Sequence, residues 1–322
     1  MLSAQLVERL FLPAFGNPIL DLLDDQAVFE FGGARLAFTT DSYVVTPLFF
    51  PGGDIGRLAV HGTVNDLAMS GARPLYLSTG FILEEGLPID DLRRIVLSMR
   101  EAARGAGVSI VTGDTKVVGK GSGDKVFINT SGIGLVPPGV ALSADKARPG
   151  DAVLLSGTVG DHGMAIMSTR ASLGLEGLIE SDTAPLHDLV AHMLEASRGI
   201  HVLRDPTRGG VAATWHEIAA RSRVGIEIEE DAVPTTEAVK GACEILGFDP
   251  LHVANEGKLV AFVSGGDAET VLEAMRSHPL GLRAERVGTV TEEHPGLVVV
   301  KTSIGGSRVL ERPYGELLPR IC

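Results

Sequence analysis

Short apolar runs and longer amphipathic stretches alternate along the chain. The runs AVFEF (27–31) and RLAFTT (35–40) flank two glycines, a pattern typical of a β-hairpin. From Ile55 to Gly71, apolar residues recur at helical spacing behind Asp54, a residue type that caps a first helical turn. The first half is therefore predicted as a mixed α/β unit, with further strands over 74–83, 109–118 and 125–136 and a helix over 92–105.

A turn-rich segment at 137–151 separates this unit from a second α/β pattern. The segment LRDPTRGG (203–210) places a proline, two glycines and several charges ahead of a strongly helical stretch, which indicates a ligand-facing turn at a helix N-terminus. Elsewhere the second half predicts strands over 152–157, 225–230, 258–266, 283–290 and 297–301, and helices over 162–172, 186–197, 237–246 and 268–278.

These patterns divide the chain into four segments. We predict an N-terminal arm (1–24), an N-terminal domain (25–140), a C-terminal α/β domain (141–308) and a flexible tail (309–322). The tail is expected to be extended because two prolines and a glycine interrupt it.

Composition limits the class of protein. The chain has 322 residues, 44% of them hydrophobic and 21% charged, which is typical of a globular protein of about two domains. Its 28 lysines and arginines against 41 acidic residues give a net charge of −13, which opposes binding to nucleic acid or to anionic membranes. There is no apolar run long enough to span a bilayer and no secretory leader pattern, so we expect a cytoplasmic protein.

The familiar catalytic motifs are missing from the sequence. It contains no P-loop, no G-x-G-x-x-G fingerprint, no G-x-S-x-G elbow and no H-E-x-x-H zinc helix. Five histidines, at positions 61, 162, 201, 216 and 252, lack metal-ligand spacing, and we interpret most of them as structural or surface residues.

Aspartates at the ends of predicted strands and loops are the main candidates for chemistry. They are Asp24, Asp25, Asp41, Asp66 and Asp114. Carboxylates gathered in this way suit Mg²⁺, which prefers hard oxygen ligands and often bridges to phosphates. Helix caps and turns account for the same residues equally simply.

Polar residues inside the helix predicted from Ile55 add to this picture. Asn65 and Asp66 lie in its interior together with Gly62, although Asn and Asp compete for backbone hydrogen bonds and an interior glycine costs about 1 kcal/mol against alanine. A ligand site or unusually close helix packing explains such a composition.

Other charged residues each have two interpretations. Lys116 shares a strand face with Asp114, which suits phosphate binding or a solvated ion pair. Glu256 in ANEGKLV is either a general base or an exposed turn acid. The segment with Arg204, Asp205, Thr207 and Arg208 suits an anion site or an inter-domain ion-pair network.

The chain has two cysteines, too few for a disulfide framework. Cys243 lies on an amphipathic helical pattern and is predicted to be a core residue. Cys322 is the last residue of the sequence, and about 12 extended residues would carry its thiol on the order of 40 Å. A thiol in this position could accept an acyl group and carry it to another site.

Several long motifs occur together in one order: TTDSYVVTPLFFPGGDIGRLAVHGTVNDLAMSGARPLYL, TGDTKVV, RDPTRGGVAATWHEIA, CEILGFDPLHVANEGKL and PRIC. From about residue 24 onward the chain resembles the HypE-type hydrogenase maturation proteins, the carbamoyl dehydratases. These belong to the superfamily of aminoimidazole ribonucleotide synthetase, the PurM-like proteins.

The resemblance implies an α/β (α+β) fold of two domains. The N-terminal domain would bind ATP and pair with a second copy into a homodimer with a β-barrel-like core. By motif match Mg²⁺ and phosphates would be held by Asp41, Asp66 and Asp114. Residues near the ATP would be Asp24, Asp25, Asn65, Lys116, Asp205, Thr207 and Arg208. Asp24 and Asp25 are followed by Gln26, where the family pattern has a small residue.

The resemblance also implies a reaction. A HypF-type carbamoyltransferase would load a carbamoyl group onto Cys322, and ATP would drive its dehydration to a thiocyanate. Lys116 would neutralise phosphate charge and Glu256 would accept protons. The cyano group would pass to iron on a HypC–HypD-type scaffold for [NiFe] hydrogenase. The alternatives are another PurM-like ATP-dependent enzyme, such as a small-molecule kinase or synthetase, and a nucleotide-gated adaptor.

Overall fold

A computed structural model of the chain describes residues 6–175, 177–312 and 321–322, apart from the Glu8 side chain. The strands are β1 (Ala27–Phe31), β2 (Ala34–Tyr43), β3 (Phe49–Phe50), β4 (Gly53–Asp54), β5 (Arg73–Glu84), β6 (Ser109–Val118), β7 (Val126–Leu135), β8 (Ala152–Leu155), β9 (Ile200–Arg204), β10 (Gly225–Glu229), β11 (Val260–Val263), β12 (Glu285–Thr291), β13 (Val298–Lys301) and β14 (Ser307–Val309). The helices are α1 (Leu12–Phe15), α2 (Ile55–Met69), α3 (Ile89–Gly105), α4 (Asp161–Arg170), α5 (His187–Ala196), α6 (Gly210–Ser222), α7 (Glu237–Leu246) and α8 (Ala268–Ser277). A π-helical turn (Val7–Phe11) precedes α1, and short 3₁₀ turns occur at Leu20–Leu22, Glu230–Ala232, Pro250–His252 and Pro279–Gly281.

The first sheet has the strand order β1-β2-β7-β5-β6. Its pairs are antiparallel except β5 and β6, which run parallel because α3 crosses over between them. Buried and less buried residues alternate along β7, so one face of this sheet packs on a core and the other does not. β6 is exposed along almost its whole length at the sheet edge.

Helix α2 packs against the buried face of this sheet and is itself buried almost all round. Its first turn is capped by Asp54, whose side chain accepts hydrogen bonds from the amides of Gly56 (2.8 Å) and Arg57 (3.1 Å). Gly62 lies directly against the Tyr43 hydroxyl, and a side chain there would collide with it. Of the two explanations for a glycine inside this helix, a ligand site or close packing, the structure shows close packing for Gly62.

The second sheet has the order β14-β13-β10-β12-β8-β11-β9. Its central strands β8 and β11 are buried at every position, because helices cover both faces. Leu154 of β8 faces a core shared with α5 and α8, whereas Val153 faces a second core that contains Trp215 of α6. No helix among the described residues has the length and apolar character needed to cross a membrane.

One hydrophobic core joins the two sheets. It contains Leu67 of α2 together with Leu154 and with Leu189 of α5, all fully buried. The connection from Leu135 to Ala152, where the sequence predicts the domain boundary, has neither helix nor strand. Residues of α2 can therefore reach the loops of the second half, which positions the site described below.

The predicted α/β class is confirmed, and each predicted helix and strand has a counterpart in the structure. The differences lie at the ends of elements: β2 continues through Tyr43, and the helix predicted over 162–172 spans Asp161–Arg170. Four strands were not predicted: β3, β4, β9 and β14. Strands β3, β4 and β14 have only two or three residues and carry too little pattern, and β9 ends inside the segment 203–210, whose composition indicates a turn. Most of the predicted tail, residues 313–320, lies outside the described residues.

Candidate active site

Three carboxylates from distant parts of the sequence converge beside the inter-domain core. Asp25 precedes β1, Asp66 lies on α2 and Asp205 follows β9; each offers an oxygen, and these oxygens all lie within 4.8 Å of one another. Asp66 is also held by Thr39, whose hydroxyl donates to Oδ2 at 2.7 Å. Oxygen-only ligands at this spacing are the kind that Mg²⁺ prefers.

The electrostatics of these acids also fit a cation. Burial and the neighbouring carboxylates raise the pKa of Asp66 and of Asp25 well above the usual range. Burial raises the pKa of Asp205 to about 6, although Arg204 opposes the shift. Asp205 Oδ2 is buried without a hydrogen-bond partner in the described part of the chain. The three carboxylates therefore fit a divalent cation. Such a cation would give Asp205 Oδ2 a partner and would offset the repulsion between the negative charges.

Arg204 balances part of this negative charge. Its Nε lies 2.9 Å from Asp25 Oδ2, and its Nη2 lies 3.1 Å from Glu217 Oε2. Burial alone would lower the pKa of Arg204, but Asp25 and Glu217 raise it above its usual value. Arg204 is therefore an ion-pair partner of the acidic cluster, and it joins the N-terminal segment to α6.

Asp41 and Arg208 form a second link between the two halves. Arg208 Nη2 lies 3.0 Å from Asp41 Oδ1, and the Asn129 side chain donates to the Asp41 carbonyl at 2.8 Å. Thr207 lies in the same turn, where its amide donates to the Asp205 carbonyl at 3.0 Å. The segment 203–210 thus forms ion pairs between the two halves through Arg204 and Arg208, as one of its two interpretations predicts, and the anion site stays a prediction.

Asp114 and Lys116 lie at the exposed edge strand β6. Lys116 Nζ is 2.8 Å from Asp114 Oδ2, with about 70% of each side chain exposed (69% and 72%). The Lys116 contacts and the amide of Thr115 lower the pKa of Asp114. Both residues line a shallow cavity of about 290 Å³ that extends to Ser42, the neighbour of Asp41. Asp114 is not among the three converging carboxylates, and its assignment to Mg²⁺ stays a prediction.

Asp24, the first member of the predicted acidic pair, has a different environment from Asp25. Its Oδ1 accepts a hydrogen bond from the Ala144 amide at 2.9 Å. This contact ties the end of the arm to the connection between the two sheets. Its predicted role near ATP stays a prediction.

Glu256 lies in the interior, with 2% of its surface exposed, and is not an exposed turn acid. Its backbone is fixed on both sides: its amide donates to Asp182 Oδ1 at 3.0 Å, and its carbonyl accepts from the Asn65 side chain at 3.1 Å. Asp182 is itself paired with Lys258 at 3.2 Å. The Asn65 side chain therefore helps to fix the backbone of Glu256, and its predicted place near ATP stays a prediction.

The carboxyl group of Glu256 remains available for chemistry. Its Oε1 is buried and has no hydrogen-bond partner among the described residues. Burial, followed by the charges of Asp205 and Asp41, raises the pKa of Glu256 well above its usual range. A carboxylate held in this way is a stronger base than one in water.

Residues 321–322 lie inside this site. The Val44 amide donates to the Cys322 carbonyl at 3.1 Å, and the buried Ile321 joins the apolar cluster around α2 and α4. The ring of His162 contacts the Ile321 carbonyl through Nε2 at 2.8 Å. The thiol of Cys322 is thereby brought to the acidic residues of its own chain.

The thiol lies close enough to Glu256 for the charge of that carboxylate to act on it. Burial and the charge of Glu256 raise the pKa of Cys322, while Arg208 opposes the shift. The docked thiol is therefore protonated at neutral pH and is a poor nucleophile. Cys243 is buried in a separate core, as predicted, and burial raises its pKa to about 11.

Comparisons with known proteins place the chain in a family. Residues 23–136 match the N-terminal domain of AIR synthase related proteins, and residues 148–301 match the C-terminal domain. The carbamoyl dehydratase HypE of Cupriavidus necator is 57% identical over 99% of this chain and 92% of that protein. The chain belongs to the HypE family of AIR synthase related proteins. The HypE of Escherichia coli is 51% identical over 99% of this chain and 95% of that protein.

Solved structures of HypE family members have the same fold. A HypE–HypF complex matches with a TM-score of 0.91 and 52% identity, covering 96% of this chain and 99% of that one. A HypE structure in complex with ATP matches with a TM-score of 0.87 and 52% identity, covering 100% and 97%. Thiamine monophosphate kinase from Aquifex aeolicus, at 21% identity, shares the fold alone (TM-score 0.67, covering 93% and 97%).

Sequence reasoning missed three residues of this HypE-family site. Tyr43 is buried against α2, and burial together with Asp41 and Asp66 raises its pKa. Asp182 and His162 fix Glu256 and Ile321, respectively. Their partners lie 74 and 159 positions away, so no local pattern could have indicated these roles.

Proposed function

We propose that this HypE-family chain is an ATP-dependent carbamoyl dehydratase that acts on its own Cys322. The observation that carries the proposal is the position of residues 321–322, which brings the Cys322 thiol beside Glu256 and the acidic cluster. Relatives named carbamoyl dehydratase, at 51–57% identity over nearly the whole chain, support the same assignment. The product supplies the cyanide ligand for maturation of the [NiFe] hydrogenase iron centre.

The chemistry needs activation of a poor leaving group. The Cys322 thiocarboxamide, S–C(=O)–NH₂, gives up its oxygen only with difficulty, so the amide oxygen attacks the γ-phosphorus of ATP and ADP leaves. The C–O bond then breaks, phosphate departs with the former amide oxygen, and the nitrogen loses two protons as the C≡N bond forms. The net reaction converts thiocarboxamide and ATP into thiocyanate, ADP and phosphate.

Glu256 is the proposed proton acceptor for the nitrogen. It lies beside the sulfur that carries the group, and its raised pKa suits proton abstraction near neutral pH. Lys116 lines the shallow cavity beside β6 together with Asp114, and it is proposed to neutralise the charge that develops on the phosphate.

Mg²⁺ is the metal that the donor set fits. We propose that Asp41, Asp66 and Asp114 hold the ion, as the motif match predicts. Asp25 and Asp205, whose oxygens lie within 4.8 Å of an oxygen of Asp66, would supply or orient further oxygen ligands. When bound, Mg²⁺ would supply charge neutralisation for the phosphates of ATP. Asp24, Asn65, Thr207 and Arg208 complete the proposed nucleotide side of the site.

The partners follow from the same proposal. A HypF-type carbamoyltransferase would load Cys322, in line with the solved HypE–HypF complex, and a HypC–HypD-type iron scaffold would receive the cyano group. A second copy of the chain would cover β6, where Val111 and Val117 are 59% and 70% exposed on a sheet edge. The proposed location is the cytoplasm.

Intact-mass analysis tests the function. The protein is incubated with a HypF-type partner, carbamoyl phosphate and MgATP, and we expect a carbamoyl adduct that loses one water to become a cyano adduct. The Cys322→Ala variant should form neither adduct, whereas the matched Cys243→Ala variant should form both. ATP binding without any adduct, despite an active partner, would favour a kinase, a synthetase or the adaptor function and would refute this one.

A further inference from the structure

The ring of His162 connects residues 321–322 to the body of the protein. Its Nε2 lies 2.8 Å from the Ile321 carbonyl and its Nδ1 lies 2.8 Å from Ser181 Oγ, and the ring is fully buried. Burial lowers the pKa of His162, so the ring is neutral. A neutral imidazole carries a hydrogen on only one of its two nitrogens, so it can donate to only one of its two partners.

The partners determine which nitrogen holds that proton. A carbonyl can only accept, so Nε2 carries the hydrogen and donates it to Ile321. Nδ1 therefore accepts from the Ser181 hydroxyl, whose oxygen in turn accepts from the Thr183 amide at 3.2 Å. A chain of three hydrogen bonds thus presets the ring as a donor aimed at Ile321.

Apolar packing supports the same contact. Ile321 is 5% exposed and shares a cluster with Phe50 and with Ile166, which lies one helical turn after His162 on α4. The Phe50 ring meets the His162 ring edge-on, with centroids 5.6 Å apart. The residue before Cys322 therefore lies in an apolar pocket and accepts a hydrogen bond from His162 there.

Two other histidines hold the segment that precedes the undescribed residues. His216 Nε2 lies 3.0 Å from the Leu310 carbonyl, and His252 Nε2 lies 3.1 Å from the Glu311 carbonyl. These two contacts fix the root of the tail, whereas His162 contacts the residue beside the thiol. Among the histidines, His162 is the one whose contact bears directly on the position of Cys322.

We propose that His162 is a positioning residue for the dehydration step. It captures the Ile321 carbonyl and so holds the carbamoylated Cys322 beside Glu256, and Ser181 keeps its ring in the donating form. Loading by the carbamoyltransferase requires the thiol outside the site, so His162 assists dehydration and not loading. This inference rests on the proposed function of Cys322.

The test compares four variants in the full-length protein. His162→Leu removes the donor, His162→Gln keeps an N–H at the end of a side chain of similar reach, and Ser181→Ala removes the group that sets the tautomer. His192→Gln is the matched control, because His192 is an exposed histidine whose contacts, with Ser277 and with the ring of His278, lie away from residues 321–322. The readouts are the alkylation rate of Cys322 by iodoacetamide, ATP affinity, the loading rate, and single-turnover dehydration of the loaded protein.

For His162→Leu we expect alkylation of Cys322 to rise and dehydration to fall, each by about two- to tenfold, the effect of one lost hydrogen bond. ATP affinity should be unchanged and loading no slower. His162→Gln should recover part of the loss, Ser181→Ala should show a smaller effect of the same sign, and His192→Gln should match the wild type.

Wild-type rates of alkylation and dehydration in His162→Leu would overturn the inference. Equal defects in His162→Leu and His162→Gln would overturn it as well, since they would indicate packing and not hydrogen bonding. If His162→Leu does not fold, Ser181→Ala alone decides between the same outcomes. Failure of the proposed function itself is distinct, because the wild-type protein would then form no cyano adduct.

Discussion

The Asn65 side chain donates a hydrogen bond to the backbone carbonyl of Glu256 at 3.1 Å, across 191 positions of the sequence. The same amide group donates to the Ala184 carbonyl at 3.0 Å, and its oxygen accepts from the Leu186 amide at 2.8 Å. One side chain on α2 therefore satisfies three backbone groups of the second half. The polar residue inside a buried helix is explained by these contacts.

Replacing Asn65 by Ala should destabilise the protein and slow dehydration. Three hydrogen bonds are lost, which at 0.5–1.5 kcal/mol each should lower the free energy of unfolding by roughly 2–4 kcal/mol. Urea unfolding measures the effect. The control is Asn17→Ala, which also removes three hydrogen bonds, to the Phe15 carbonyl and from the Ile19 and Leu20 amides. Because these groups are exposed, water replaces the lost bonds, and the effect should stay below about 1 kcal/mol. Equal effects of the two variants would show that the hydrogen bonds of Asn65 between the two halves do not contribute to the free energy of unfolding.

Glu256→Gln tests the proposed base with little change of shape. We expect ATP affinity to be preserved and dehydration to slow by roughly 10²–10⁴-fold, the usual contribution of general acid–base catalysis. Single-turnover conversion of the carbamoyl adduct, followed by mass spectrometry, gives the rate. In the wild-type protein that rate should rise with pH, because Glu256 acts only when it is ionised. Unimpaired turnover of the variant would remove Glu256 from the mechanism.

Asp205 should make stability depend on pH in a definite direction. Its folded-state pKa, about 6, lies above the unfolded value of 3.8, so its protonated form stabilises the fold below pH 4 and this contribution is lost as pH rises through 6. Asp205→Asn should therefore gain stability relative to the wild-type protein between pH 4 and pH 7, in metal-free buffer. Thermal melting of both proteins across this range checks the sign, and a constant difference would contradict it. Added Mg²⁺ should stabilise the wild-type protein more than the variant.

Lys116→Ala should separate catalysis from stability. The ion pair with Asp114 is exposed to solvent and adds little to stability, so the melting temperature should hardly change. Loss of a charged partner for phosphate should lower dehydration by about 10- to 100-fold. Lys240→Ala removes a comparable exposed pair, with Glu237 at 2.8 Å, and should alter neither quantity. A Lys116→Ala variant with full activity would leave this lysine as a surface residue.

The exposed edge of the first sheet should be the contact between copies. Val117→Glu places a charge on β6, where the wild-type side chain is 70% exposed, and should convert the proposed dimer into a monomer. Sedimentation velocity measures the molecular mass. Ile304→Glu alters a side chain that is 93% exposed outside both β-sheets and should leave the mass unchanged. A wild-type monomer at micromolar concentration would refute the proposed dimer.

Much of the fold could be predicted because its signals are local. The hairpin at Gly32-Gly33, the Asp54 cap and the helical spacing of α2 each involve residues within a few positions of one another. Asp66 and Asp205 could be selected for similarly local reasons, because Asp66 lies inside a helical pattern that disfavours aspartate and Asp205 lies in a charged turn ahead of a helix. Their convergence, however, depends on how α2 packs against the second half.

The remaining parts of the site depend on contacts that no local pattern records. His162 appears in the sequence as one histidine at the start of a helix, and its role depends on Ile321 and Ser181. Glu256 looks like a turn residue until the packing of Asn65 and Asp182 buries it. Burial also changes its acid–base behaviour, which depends on charges from several elements.

The docking of Cys322 within its own chain also affects how the reaction depends on concentration. A substrate group attached to the chain is present at a fixed local concentration, so dehydration should be first order in loaded protein and insensitive to dilution. Each molecule can hold one group at a time and must release it before it accepts another. Overall turnover therefore cannot be faster than the movement of residues 321–322 out of their pocket and back.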